Sequence, residues 1–207
     1  MEYILYPLIG YLLGAISPAA LIAKLKRKDL RENGTGNLGA TNTMLVFGRT
    51  YGVAVMLFDI AKAFFAFKLA EWAVPEAEWL ALAAGACAVV GHCFPFYLKF
   101  KGGKGLATFG GLVLAYEPWL FAFLLVTGVL LMILVNHSFI LPFYATLFFA
   151  VYAAIREENI LSFLCVALVS VLILVMAFEQ LIRAVRGQDG KIREYIKTKL
   201  FRRGKSE

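Results

Sequence analysis

Histidine and cysteine are scarce in this chain: two of the first and three of the second among 207 residues. Cys87, Cys93 and Cys165 all lie inside apolar runs, and no pair has the spacing of metal ligands. That excludes a disulfide framework and a structural zinc site, and leaves the cysteines as small core hydrophobes. No G-x-S-x-G elbow supplies an activated serine. No segment repeats at the periods of about 20–50 residues that mark solenoids and propellers. Charge is thin as well, at 17% of residues.

Apolar residues fill the space instead. They make up 61% of the chain, with a mean hydropathy of +0.75. A soluble domain holds about 45–50%. Most of the surface is therefore expected to face lipid or other lipid-facing helices, in one membrane-embedded domain over 1–207. Apolar runs of about 20 residues cross a bilayer as helices. The pattern predicts spans at 3–23, 51–72, 78–98, 104–116, 118–136, 138–155 and 160–182. The fold class expected is all-α and polytopic, with seven transmembrane helices. The fourth run is short, a half-helix that needs protein around its polar end. Residues 1–23 lack a basic leader and a cleavage motif, and read as an uncleaved first span. Ser17-Pro18 is expected to kink it.

The net charge of +7 has a positional pattern. Seven crossings put residues 24–50, 99–104, 136–138 and 183–207 on one side. That side holds Lys24, Lys26, Arg27, Lys28, Arg31, Arg49, Lys99, Lys101, Lys104 and the basic tail. The other side holds Glu2, Glu76, Glu117, Glu157 and Glu158, with Arg156. The positive-inside rule makes the basic side cytoplasmic, with the N-terminus outside and the C-terminus inside. Topology and anionic lipid account for the basic excess, so no nucleic-acid partner is expected. The tail over 186–207 alternates charge with Ile192, Tyr195, Ile196, Leu200 and Phe201, the spacing of a surface-lying amphipathic helix.

Two polar segments fall on that basic side. The first is Gly34-Thr35-Gly36-Asn37-Leu38-Gly39-Ala40-Thr41-Asn42. Its glycines follow no strand, so it is not a dinucleotide fingerprint. It reads as a loop leading into a helix, with amides and hydroxyls gathered to grip a polar ligand. The second is Lys101-Gly102-Gly103-Lys104-Gly105-Leu106-Ala107-Thr108. It is not a Walker A, but glycines that let backbone N–H groups crowd a ligand, with Lys104 at a helix start, suit phosphate oxygens. Asp59 and Lys62, one turn apart inside a span, are expected to form a structural ion pair. His92 reads as a satisfied buried polar residue.

These residues resemble a known family. Asp29-Leu30-Arg31 with the 34–42 run looks like its first signature. Gly91-His92, Pro95 and the run from Phe100 to Thr108 look like its second. The family is the bacterial integral-membrane acyl-phosphate:glycerol-3-phosphate acyltransferases, and the resemblance covers nearly the whole chain. It implies transfer of a fatty acyl group from acyl phosphate to the 1-hydroxyl of glycerol 3-phosphate, at the cytoplasmic face of the cell inner membrane. It implies no metal and no cofactor. Lys104, Asn37 and Thr41 become the expected catalytic residues. Thr35, Gly36, Asn42, Arg49, Lys101, Gly102, Gly103, Gly105 and Thr108 become the expected substrate-binding set. The chain also departs from the family pattern. Thr35 stands for a serine, Leu45 for an arginine, and Ala177 and Gln180 for a histidine and an asparagine. A re-purposed member that binds a lipid phosphate without acyl transfer is the alternative. The His-x4-Asp pair of other glycerolipid acyltransferases does not occur.

Overall fold

The computed structural model describes residues 1–186, and the tail helix expected over 186–207 lies outside them apart from Arg186. Among the described residues the regular structure is helical. In chain order the helices are α1 (Glu2–Ala15), α2 (Pro18–Leu25), α3 (Ala40–Phe47), α4 (Arg49–Ala73), α5 (Glu78–Cys93), α6 (Leu106–Tyr116), α7 (Pro118–Val135), α8 (Ile140–Arg156) and α9 (Ile160–Val185). A 3₁₀ turn, Phe96–Leu98, follows α5.

The expected runs appear with their ends moved by a few residues, apart from the first. Residues 3–23 do not form one kinked helix. The chain breaks at Ile16, and Pro18 opens a new helix at its first position, capped by Ser17 Oγ, which accepts from the Ala20 amide at 3.2 Å. Proline is tolerated there because its missing N–H would have had no partner. The break is held by other parts of the molecule. Tyr97 Oη donates to the Ala15 carbonyl at 2.8 Å and accepts from the Ser17 amide at 3.1 Å. Lys62 Nζ donates to the Ile16 carbonyl at 3.1 Å.

Among the described residues, four stretches are long and apolar enough to cross a membrane: Glu2–Leu25, Glu78–Leu98, Pro118–Val135 and Ile160–Val185. Helix α4 has 25 residues but carries Asp59, Lys62 and Lys68. Helix α6 has 11 residues, about 16 Å of helix against a hydrocarbon core of about 30 Å. It follows that α6 needs protein around it, and it packs against α4, α7 and α5.

Helix α5 is the centre of the bundle, packed by α1, α4, α6 and α9. Small residues set the α1–α5 approach. A Cβ on Gly14 would run into the Ala88 backbone, so neither helix can carry a larger residue there. Phe109 and Phe149 meet edge to face at 5.5 Å and join α6 to α8 in the core. The outer surface is apolar: Leu8, Leu21, Phe65, Leu134, Leu168 and Val175 are all exposed. That inverted pattern suits a lipid solvent. The three tryptophans, Trp72, Trp79 and Trp119, sit at helix ends on the side away from the glycine-rich segments, as interfacial anchors do.

Candidate active site

Two loops far apart in sequence meet at one end of the bundle. The first, between α2 and α3, is organised by Asn42 at the start of α3. Asn42 is fully buried. Its Nδ2 lies 2.8 Å from the Leu30 carbonyl, 2.9 Å from that of Asn37 and 3.0 Å from that of Asn33. Its Oδ1 accepts from the Thr35 amide at 2.7 Å. A Cβ on Gly34 (φ +66°) would collide with that oxygen, so the turn requires glycine twice over. Asn42 therefore shapes the loop from within. Thr35, Gly36 and Thr41 are exposed at its surface, and Asn37 is half-buried.

The second loop leaves α5 and turns back on itself. Lys99 and Phe100 both have positive φ, at 56° and 57°. The reversal lets the Gly102 amide donate to the Cys93 carbonyl at 2.9 Å and the Gly103 amide to that of His92 at 3.1 Å. This corrects the expectation that both glycines offer N–H groups to a ligand. They give the loop its shape, and a Cβ at Gly102 would strike the His92 carbonyl. Gly105, with φ +81°, then starts α6. The amides of Leu106, Ala107 and Thr108 open that helix, where geometry leaves N–H groups without an intrahelical acceptor. Lys104 is half-buried beside them, and Thr108 is fully buried with no hydrogen-bond partner for Oγ1 among the described residues. Lys101 and Arg49 are exposed. Ile173 of α9 packs on Gly105, and Ala177, one turn further along α9, is buried.

The loops touch at Arg31 and at Gly103. One Arg31 guanidinium nitrogen donates to the Lys101 carbonyl at 2.9 Å and lies 3.4 Å from that of Leu98. Gly103 sits between the first loop and His92, since a Cβ there would lie 2.7 Å from the Leu38 carbonyl and collide with His92 Nε2. Replacing Arg31 by methionine is expected to lower stability by about 1 kcal/mol, one net hydrogen bond. Thermal unfolding checks it, and an unchanged midpoint would show that the guanidinium does not hold the loops together.

Behind Gly103 lies a buried charged group. Asp59 and Lys62 form the expected pair at 2.8 Å, and His92 Nδ1 joins it at 2.8 Å from Lys62 Nζ and 3.3 Å from Asp59 Oδ1. The third partner was not legible in the sequence. The only signal was two ionisable residues and one histidine, each near the same depth of adjacent spans. Lys68, further along α4, pairs with Glu71 at 2.7 Å at the surface.

A cleft of about 410 Å³ lies at the opposite end of the bundle, lined by Glu71, Glu78, Glu117, Arg156, Glu157 and Asn159 among others. Tyr116 Oη donates to Glu157 Oε1 there. Its carboxylates repel a phosphate, so the cleft does not compete with the glycine loops as a site for anions.

Fold and loops together define an α-helical membrane protein with two glycine-rich loops joined at one end of the bundle. Residues 4–187 match the family described as "Glycerol-3-phosphate acyltransferase". The chain belongs to that family. Among its relatives, the glycerol-3-phosphate acyltransferase of Coxiella burnetii (strain RSA 493 / Nine Mile phase I) is 34% identical over 194 residues, 93% of this chain and 100% of that protein. That of Bordetella pertussis is 35% identical over 191 residues, 89% of each. The crystal structure of PlsY, an integral membrane glycerol 3-phosphate acyltransferase, in its glycerol 3-phosphate form, superposes with a TM-score of 0.86 at 29% identity. The match covers 93% of this chain and 96% of that one. The lysophosphatidic acid form of the same protein gives 0.83 at 28% identity, covering 92% and 95%.

Proposed function

We propose that the protein transfers a fatty acyl group from an acyl phosphate to the 1-hydroxyl of glycerol 3-phosphate, giving lysophosphatidic acid and phosphate. The observation that carries the reading is the convergence of the two glycine loops through Arg31, Lys101, Leu38 and Gly103. Family membership supports it. So do the solved relatives, one in a glycerol 3-phosphate form and one in a lysophosphatidic acid form.

An acyl phosphate is a mixed anhydride and already activated. The work left to the protein is to hold two anions close and to stabilise the charge that develops between them. The hydroxyl oxygen forms a bond to the acyl carbon, the acyl–phosphate bond breaks, and an oxygen of the departing phosphate takes the hydroxyl proton. Lys104 and the first turn of α6 hold phosphate oxygens, aided by the helix dipole. Gly102, Gly103 and Gly105 shape the tight turn that carries Lys104 and the start of α6 to the substrate phosphate, and Thr108 lies behind them. Thr35, Gly36, Asn37 and Thr41 face the acceptor with hydroxyl, amide and backbone groups, while Asn42 keeps that loop in shape. Lys101 and Arg49 add positive charge at the rim. The site needs no metal and no cofactor.

In the same reading α1–α2, α4, α5, α6, α7, α8 and α9 make seven crossings. The loops face the cytoplasm from a bacterial inner membrane, the N-terminus is outside, and the basic tail is inside. The distribution of lysine and arginine supports this orientation.

A second reading is favoured by one set of positions. Leu45 is exposed, Ala177 is buried, and neither offers a hydrogen-bond donor to an acceptor phosphate. Each lost donor weakens that site by about 1–3 kcal/mol. A member that binds a lipid phosphate without acyl transfer would result. The assay is lysophosphatidic acid formation by purified protein from palmitoyl phosphate and labelled glycerol 3-phosphate. We expect product, with a loss of about 100-fold or more in Lys104→Ala and a clear loss in Asn37→Ala. No product from folded protein, with acyl phosphate intact, overturns acyl transfer and leaves the binding role.

A further inference from the structure

We infer that Asp59, Lys62 and His92 are positioning residues that present the His92 Nε2–H group as a hydrogen-bond donor at the seam between the two glycine loops. The kinetic part of this inference rests on the acyl-transfer reading, and the tautomer part does not.

Lys62 is 5% exposed. An ammonium has three N–H donors and no acceptor. Two acceptors and a carboxylate surround it: His92 Nδ1 at 2.8 Å and the Ile16 carbonyl at 3.1 Å lie within hydrogen-bond reach, and Asp59 Oδ1 pairs with its charge at 2.8 Å. Because Lys62 can only donate, His92 Nδ1 must accept. The proton of the neutral ring then sits on Nε2. Asp59 Oδ1, at 3.3 Å from Nδ1, is the more distant neighbour and neutralises the ammonium between them. The other ring nitrogen faces Gly103. A Cβ on that glycine would collide with Nε2 and approach the Leu38 carbonyl to 2.7 Å, so Nε2 looks into the junction of the first and second loops.

A contact made only to pack α1, α4 and α5 needs no ionisable groups, and burying three of them is costly. What the charged arrangement adds is direction. It sets which imidazole nitrogen carries the proton. With that tautomer a donor faces the junction of the two loops. With the other, a lone pair would face it. Lys62 also reaches the Ile16 carbonyl at the break between α1 and α2, so one side chain ties that break, α4 and the end of α5 together.

The test uses full-length protein labelled with ¹⁵N-histidine, in the His137→Gln background so that His92 alone reports. Nitrogen chemical shifts are expected to show a pyridine-type Nδ1 and a pyrrole-type Nε2. A protonated Nδ1, or fast averaging between tautomers, overturns the inference. In Asp59→Asn/Lys62→Met both charges go and shape is kept. The variant is expected to show averaged shifts and a kcat about 10- to 100-fold lower, with KM for glycerol 3-phosphate changed far less. An unchanged kcat in that folded variant also overturns it. Should the double variant fail to fold, His92→Gln against His92→Leu decides. Glutamine places an N–H where Nε2 stood and is expected to retain about tenfold more kcat than leucine. Equal losses overturn the inference. Wild-type protein that makes no product would sink the acyl-transfer reading, and the nitrogen shifts would still test the tautomer.

Discussion

Lys62→Met is expected to lower stability by about 3–5 kcal/mol. Methionine fits the space and even suits an apolar span. What it removes is the cation beside a buried carboxylate: Lys62 Nζ lies 2.8 Å from Asp59 Oδ1, and both side chains are about 2% exposed. Asp59 would be left charged in an interior that cannot solvate it. The Ile16 carbonyl at the helix break would lose its donor as well. Thermal unfolding in detergent micelles gives the comparison, read at fixed detergent and lipid. The decisive control is Asp59→Asn/Lys62→Met, which should recover most of the loss because the stranded charge is gone. A single variant as stable as wild type would mean that water or another group reaches Asp59, and that the pair is not dry.

Gly103→Ala is expected to act on function more than on stability. The added methyl has no room. It would meet His92 Nε2 and Cε1 on one side and the Leu38 carbonyl on the other. Overpacking of this kind costs about 1–3 kcal/mol, which a bundle of this size survives. The relief available is a shift of the Lys101–Gly105 turn away from the first loop. A displacement of about 1 Å between reacting groups can lower a rate about 100-fold. Lysophosphatidic acid formation should therefore fall by that order, with a thermal midpoint only modestly lower. Activity within about twofold of wild type would show that the seam between the loops is not where the reaction is held.

These two changes also mark where sequence reading reached its end. The helices themselves were legible. Apolar runs bounded by Glu117-Pro118, Asn136-His137-Ser138 and Arg156-Glu157-Glu158-Asn159 became α6 through α9 with ends shifted by a few residues. Both glycine loops were visible as polar interruptions, and Asp59 with Lys62 announced a pair by helical spacing. The break at Ile16 was read as a kink, because the sequence shows Pro18 but not Tyr97 and Lys62 arriving to take up the groups that a break leaves open.

Gly102 and Gly103 show the same limit from another side. Their residue type promised backbone donors for a ligand. Their N–H groups turn out to serve the Cys93 and His92 carbonyls, because two successive residues with positive φ fold the chain back onto the end of α5. Asn42 looked like a ligand contact and is instead the brace of its own loop.

The sequence alone determined that this is a helical membrane protein, where most of its helices run, and that the two glycine-rich segments sit among its basic residues. Those properties depend on local composition: a bilayer selects apolar runs one at a time, and charge between them sets direction. Only the tertiary structure decided that Arg31 reaches Lys101, that His92 completes the Asp59–Lys62 pair, and that Gly103 closes against Leu38. Each of those contacts joins residues about 30 to 70 positions apart. They exist because small residues let α1 approach α5, and because α4, α5 and α6 pack into one core. Nothing in a local window encodes that distance.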